Sequence, residues 1–195
     1  MIEHKIEELF PKPVMVVDNV CLAELAQFEQ IIHNIMTSKG TVSTDFQYVN
    51  STHATMDDLY NVVQFQPLVK EIQNSAFIFL EKLGYSEQSI SVMKLKQLWA
   101  NSSTKGNYLF PHIHSNSILS GAFYVKSSDT DYIQFYNDIT DATLVPDTPT
   151  EINQRSVDYQ CVPGRLLLFK SNMLHGTTIK KDMNEKIVMS FNIGL

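Results

Sequence analysis

Three histidines carry the chemistry most legible in this chain: His112 and His114 in Pro111-His112-Ile113-His114-Ser115-Asn116, and His175 in Leu174-His175-Gly176. Imidazole nitrogen suits iron, copper, zinc and nickel. On an extended segment the side chains at i and i+2 leave from one face, so His112 and His114 project together. A third histidine from a distant strand would close one side of a metal ion and leave the other side open for chemistry. The plain alternative is an ordinary core or surface histidine, and for the pair alone it carries more weight. His175 shifts the balance, because it follows an apolar strand and the Ser171-Asn172-Met173-Leu174 turn, where a barrel would need a third ligand. His4, His33 and His53 have no such context and read as structural or solvated.

Such ligands need strands to hold them. From Ile90 onward the apolar period becomes two, and strands are expected over Val92 to Trp99, Leu119 to Val125, Tyr132 to Tyr136, Tyr159 to Val162, Arg165 to Phe169 and Lys186 to Ile193. Pro163-Gly164 is a turn signal between two of them. Short strands separated by turns suggest a sandwich or barrel. The front half is helical after a short strand, Val14 to Val17. Asn19 reads as an N-cap for a helix from Val20 to about Met36, with Leu22, Leu25, Phe28, Ile32 and Ile35 as its stripe. A second helix is expected from Pro67 to Gly84, with Val69, Ile72, Ala76, Phe79, Leu80 and Leu83 inward. Thr37 to Gln66 is polar and carries no clear period. The chain is expected to be one domain over 1–195, α+β but mainly β, with a helical front to about residue 89 covering one outer sheet face.

The last strand adds an independent clue. Ile187, Met189, Phe191 and Ile193 share a wholly apolar face that wants a packed layer, the helices being the candidates. Lys186, Val188, Ser190 and Asn192 share the opposite face, which turns a cation and hydrogen-bonding groups toward the interior. A solvated edge strand would leave Lys186 in water. A cation facing inward beside a histidine site suits a carboxylate ligand. The same parity puts Ser120, Ala122 and Tyr124 on one face, and Tyr124 can offer its hydroxyl to that anion.

Composition bounds the rest. The chain has 195 residues, 44% hydrophobic and 18% charged, with net charge -6 and pI near 5.4. That balance argues against a broad electrostatic grip on nucleic acid or an anionic membrane. No run of about 18 apolar residues is present, so no helical membrane span is expected. Cys21 and Cys161 form no CxxC pair and read as buried small hydrophobes in a reducing compartment, with the cytoplasm the expected location. Between Asn137 and Asp158 lies an interval too long for a hairpin turn. Its acids, Asp138, Asp141, Asp147, Glu151 and Asp158, hint weakly at a polar or cationic substrate, though a solvated loop explains them better.

Linked motifs now give a resemblance. Leu98-Trp99-Ala100-Asn101, His112-Ile-His114-Ser-Asn116-Ser-Ile-Leu119-Ser120-Gly121-Ala-Phe-Tyr124-Val125, Pro163-Gly164-Arg-Leu-Leu-Leu-Phe169-Lys-Ser171-Asn-Met-Leu-His175 and Lys186-Ile-Val-Met-Ser190-Phe191-Asn192 resemble the core of a 2-oxoglutarate- and Fe(II)-dependent oxygenase family. The similarity covers about Val92 to Ile193. It implies a double-stranded β-helix, or jelly-roll, and a mononuclear iron used with O2 and 2-oxoglutarate to oxidise a second substrate, a small molecule or a protein side chain. It implies His112 as the first ligand and His175 as the distal histidine. Lys186 falls where the superfamily has an arginine for the far carboxylate of 2-oxoglutarate, with Tyr124 beside it. Ser190 and Asn116 join these two as cosubstrate-binding candidates, and Trp99, Asn101 and Tyr108 are candidates for the pocket mouth.

Two departures stand out. His114 occupies the place of the superfamily's carboxylate, turning a two-histidine, one-carboxylate set into three neutral imidazoles. The usual Arg-x-Ser is Lys186-Ile187-Val188, and lysine gives a point charge in place of a planar fork. Two rival functions follow from them. One is a three-histidine dioxygenase of cupin type that uses no 2-oxoglutarate, and the other is a jelly-roll binding module without catalysis. Uncoupled succinate formation separates the leading reading from both. A homo-oligomer stays open.

Overall fold

The computed structural model describes residues 4–6, 11–44, 47–137, 146–148 and 150–195. Its frame is an antiparallel sheet built around β11 (Lys186–Gly194), which lies between β6 (Leu119–Lys126) and β4 (Lys94–Ser103). Outside β6 come β9 (Leu166–Lys170) and β1 (Val14–Val17); outside β4 come β3 (Gln47–Ser51) and β2 (Val42–Thr44), with β5 (Tyr108–Leu109) paired to β3. A smaller sheet, β10 (His175–Thr177), β7 (Tyr132–Tyr136) and β8 (Ser156–Gln160), closes the other side. The result is a jelly-roll with two cores.

Strand parity sorts the residues between those cores. On the outer face of the large sheet, Phe123, Leu166, Leu168, Ile187, Met189, Phe191 and Ile193 are buried against the helices. Helix α1 (Leu25–Lys39) contributes Phe28 and Ile32, and α2 (Gln66–Lys82) contributes Leu68, Ile72, Ala76, Phe79 and Leu80. Burying each such large side chain contributes about 1.5–3 kcal/mol. Gly121 permits this layer to close: a Cβ there would collide with the Phe191 ring and the Leu167 carbonyl. On the inner face, Ala122, Tyr124, Leu167 and Phe169 meet Ile133, Phe135, Cys161 and Met173. Cys161 is buried as expected, whereas Cys21 is only half-buried.

Several boundaries differ from those expected. Asn19 is not an N-cap: its backbone is left-handed (φ 64), and a 3-10 turn at Leu22–Glu24 precedes α1. The approach to β9 explains the delay, since Val20 N–H donates to the Gly164 carbonyl (2.8 Å) and Arg165 pairs with Asp18 (2.6 Å). Helix α1 stops at Gly40 (φ 78), whose N–H returns to Met36 O, an arrangement that favours glycine. A short helix, α3 (Glu87–Ser91), was not evident from periodicity; Ser86 caps it by accepting from Ser89 N–H. Strand β4 runs on through the polar Asn101-Ser102-Ser103, because β11 and β3 bond it from both sides. Strand β8 starts earlier than Tyr159; among the described residues it pairs with β7 alone, at the sheet edge, so its polar residues break the apolar alternation.

Candidate metal centre and pocket

Backbone pairing brings the three histidines together. His112 and His175 form an antiparallel bridge, N–H to carbonyl in both directions at 2.8 and 3.0 Å. His114 N–H donates to the Ser171 carbonyl (2.9 Å) in the turn before β10. Gly176 makes the approach feasible, since a Cβ there would stand 2.8 Å from the Leu109 carbonyl. The rings lie 4.5 to 5.2 Å apart between centroids, and one nitrogen of each falls within 4.8 Å of the others. That arrangement can hold one metal ion on a single side.

Two of the three rings are fixed by the same device. His112 Nδ1 lies 2.7 Å from the Phe110 carbonyl, and His175 Nδ1 lies 2.8 Å from the Met173 carbonyl. A carbonyl only accepts, so Nδ1 carries the proton and Nε2 keeps a lone pair for a metal. No such tether holds His114 among the described residues; its ring stacks on His175 (9° between planes) and lies 5.9 Å from Trp99. Burial lowers all three pKa values. His114 falls to about 4, with His112 and His53 adding repulsion. His175 falls to about 3, with His112 repelling and the Met173 carbonyl opposing the shift. His112 also falls through burial, against the Phe110 carbonyl. All three are therefore neutral near pH 7, the form that binds a metal.

The histidines form one end of a cavity of about 710 Å³, and Lys186 and Tyr124 lie in the same wall. Among the described residues the buried Tyr124 hydroxyl makes no hydrogen bond of good geometry; the Cys161 thiol lies beside it, and burial, with that thiol, holds its pKa well above the usual phenol range. Lys186 is buried, and its Nζ makes no ion pair or hydrogen bond among the described residues. Ser190 also faces the cavity but accepts from Asn101 Nδ2 at 3.0 Å. Trp99 and Asn101 line the wall.

The remaining candidates lie elsewhere. Asn116 is exposed, in a left-handed turn (φ 60), and outside the cavity wall, where its carbonyl meets Lys96. Tyr108 is also outside the wall, its ring edge-on to Phe110 at 4.9 Å. Of the acidic interval, Asp147, Glu151 and Asp158 do not reach the cavity, and Asp138 and Asp141 lie outside the described residues. The wall does include His53 and Gln97, for which the sequence offered no local signal. A second cluster, Glu29, His33 and Glu185, could in principle ligate a metal. Lys126 Nζ already sits 2.6 Å from Glu29, so this is an ion-pair cluster tying α1 to the sheet.

A family described as "Putative 2OG-Fe(II) oxygenase" matches residues 97–192, the segment that carries His112, His114, His175 and the cosubstrate candidates of the cavity. Across this segment the chain matches the 2-oxoglutarate/Fe(II) oxygenases. No curated protein sequence matches it. Solved structures share its fold at low identity. The α-ketoglutarate-dependent epimerase SnoN from nogalamycin biosynthesis aligns with TM-score 0.69 and 12% identity over 94% of this chain and 76% of its own. A Pseudomonas putida prolyl-4-hydroxylase gives 0.67 and 9% over 94% of each chain. HygX from Streptomyces hygroscopicus, solved with nickel, 2-oxoglutarate and hygromycin B, gives 0.63 and 13% over 94% of this chain and 83% of its own. The oxygenase thus depends on Fe(II) and 2-oxoglutarate, and its fold is the jelly-roll those structures share.

Proposed function

We propose that His112, His114 and His175 hold the iron of this oxygenase, and that Lys186 and Tyr124 hold the far carboxylate of 2-oxoglutarate. One observation carries the assignment: among the described residues, the ammonium of the buried Lys186 has no ion-pair or hydrogen-bond partner and the buried Tyr124 hydroxyl has only the weakly polar Cys161 thiol beside it, and both share a cavity with three neutral imidazoles. An unpaired buried polar group costs free energy, so an anionic ligand that satisfies both groups is favoured there. When bound, the iron and 2-oxoglutarate supply O2-dependent oxidation of a second substrate, of hydroxylase type, with succinate and CO2 formed. The chain's own residues orient the reactants and limit water. The Phe110 and Met173 carbonyls set two imidazole tautomers, Phe169 and Phe135 pack around His175 at 4.6 and 6.1 Å, and the Asn101–Ser190 bond fixes the wall between the two ends.

No helix of the described residues is long and apolar enough to cross a membrane, and both cysteines are free. We assign the protein to the cytoplasm on the cysteines. The three-histidine set also favours a second reading, a dioxygenase of cupin type in which the substrate itself meets the metal. One experiment separates the two. Anaerobic protein loaded with Fe(II), then given O2 and 2-oxoglutarate, forms succinate without any second substrate, and His175→Ala abolishes both tight Fe(II) binding and succinate. Iron binding without succinate would favour the cupin-type reading, and absence of Fe(II) binding would remove the assignment.

A further inference from the structure

The mouth of the cavity contains a recognition device that the metal and the cosubstrate do not use. Gln97 lies at its centre. Its Oε1 accepts from Asn192 Nδ2 (2.8 Å), and its Nε2 donates to the Asp57 carboxylate (2.8 Å). A carboxylate can only accept, so Asp57 fixes which end of the amide is nitrogen. The second N–H of that nitrogen faces His53 Nε2 at 3.2 Å. His53 Nε2 is therefore the acceptor, and in the neutral ring the proton sits on Nδ1. That Nδ1–H meets no acceptor among the described residues. The His53 ring is itself exposed and lies 4.5 Å from the indole of Trp99, which in turn lies 5.9 Å from His114. Asn192 is buried and held from behind by Ser120, which also bonds Ser171 in the turn before β10. The unused donor is thus carried on a chain of hydrogen bonds rooted at the histidine end.

The charge of the wall is equally informative. Among the described residues that line the cavity, Lys186 is the one side chain with a permanent charge, and the cosubstrate reading assigns it an anion already. A charged group on the second substrate would lose water here without gaining a partner. We infer that the oxidised substrate presents an uncharged, flat or apolar portion to Trp99, with a hydrogen-bond acceptor such as an amide or ketone oxygen received by His53 Nδ1–H. His53 is then a specificity-determining residue. The inference rests on the oxygenase reading of the same cavity.

The test uses three probes of one shape: benzamide, benzoate and benzamidine, which are neutral, anionic and cationic at pH 8. Trp99 is the chain's single tryptophan, so its fluorescence reports on this wall alone. The protein is loaded anaerobically with Fe(II) and saturating 2-oxoglutarate, so that no probe competes for Lys186. Benzamide should quench the fluorescence saturably, and the two charged probes should bind at least about tenfold more weakly. His53→Leu should raise the benzamide dissociation constant by about 3–10-fold, and His53→Gln, which restores a donor, should recover most of that loss. The 2-oxoglutarate affinity of the same variants, read in parallel, should stay at the wild-type value, whereas Lys186→Met should lose 2-oxoglutarate. Absence of saturable quenching by benzamide, equal or tighter binding of a charged probe, or a benzamide affinity unmoved by His53→Leu would each overturn the inference. Wild-type protein that fails to bind 2-oxoglutarate would instead remove the reading beneath it.

Discussion

Two lysines six residues apart in sequence are buried to nearly the same degree, Lys180 at 2% exposure and Lys186 at 5%, yet their surroundings are opposite. Lys180 Nζ donates to both oxygens of Asp131 and to Asp182, each at 3.0 Å, and to Ser128 at 3.3 Å. Its backbone bonds Gly106 and Asn107 in the turn ahead of β5. Every one of its needs is met from within the chain. Among the described residues Lys186 has no carboxylate partner, and it lines the cavity alongside the Tyr124 hydroxyl, which has only the Cys161 thiol beside it. A buried ammonium that satisfies itself ties loops together, whereas one left unsatisfied among other unpartnered groups is a place for a ligand. Burial alone does not distinguish the two lysines; their partners do.

Exchanging each lysine for methionine breaks the comparison most directly. Lys180→Met would strand the buried Asp131 carboxylate without a counter-ion, and removing one partner of a buried pair costs about 3–5 kcal/mol. The melting temperature should fall by about 6–20 °C, as calorimetry would show. Replacing Asp131 by asparagine in the same chain should return part of that loss. A melting temperature within about a degree of wild type would mean the pair is solvated and the contrast is false.

Lys186→Met should do the reverse. The ligand-free protein should lose no stability, because no internal partner is stranded. Its 2-oxoglutarate dissociation constant should rise by about 10–150-fold, the equivalent of a charge-assisted bond of about 1.5–3 kcal/mol. Lys186→Arg should keep much of the affinity. Titration calorimetry on the Fe(II)-loaded protein reads all three. An unchanged affinity in Lys186→Met would remove the cosubstrate assignment while leaving the histidine centre standing.

How legible this contrast was in the sequence follows from the same geometry. Lys186 could be read because β11 alternates strictly: four apolar residues face the helices, so the lysine, Ser190 and Asn192 had to face inward. Tyr124 followed from the same parity on β6. The histidine centre was readable from an i, i+2 pair and one partner after an apolar strand. Lys180 was invisible because its buried partner, Asp131, comes from a loop 49 residues away in sequence, with no period to mark it. His53 was invisible for a similar reason. It sits in the turn after β3, a strand whose polar residues gave no alternation, and only the sheet brings it to Trp99. Asn116 and Tyr108 show the converse: closeness in sequence to a motif does not by itself bring a residue into the cavity wall.

A smaller effect sharpens the unsatisfied side of the comparison. Tyr124→Phe removes a buried hydroxyl that has only the weak Cys161 thiol beside it among the described residues, so stability should hold or rise slightly. If the hydroxyl meets the cosubstrate, 2-oxoglutarate affinity should still fall, by about 2–13-fold for a neutral hydrogen bond. Loss of stability without loss of affinity would place Tyr124 with Lys180, as a structural group.

The smallest effect tests the satisfied side, at the margin where Lys180 approaches solvent. Asp182 accepts from the hydroxyls of Ser128 and Thr130, from Lys180 and from the backbone N–H of Asn184, and these bonds hold its pKa well below the ordinary 3.8. A carboxylate with a depressed folded pKa contributes stability above its unfolded value, and that contribution is lost as the pH falls. In this window the unfolded chain takes up a proton at Asp182 that the folded chain refuses. From about pH 4 downward the wild type should therefore lose stability more steeply than Asp182→Asn, while near pH 7 the variant should be the less stable of the two. Melting temperatures of the pair across pH 2–7 would show the curves converging on the acid side, and the shared titration of the buried histidines cancels in the difference. Parallel curves would mean that Asp182 is merely a neighbour of the Lys180–Asp131 pair, whose closure then rests on Asp131 and Ser128 alone.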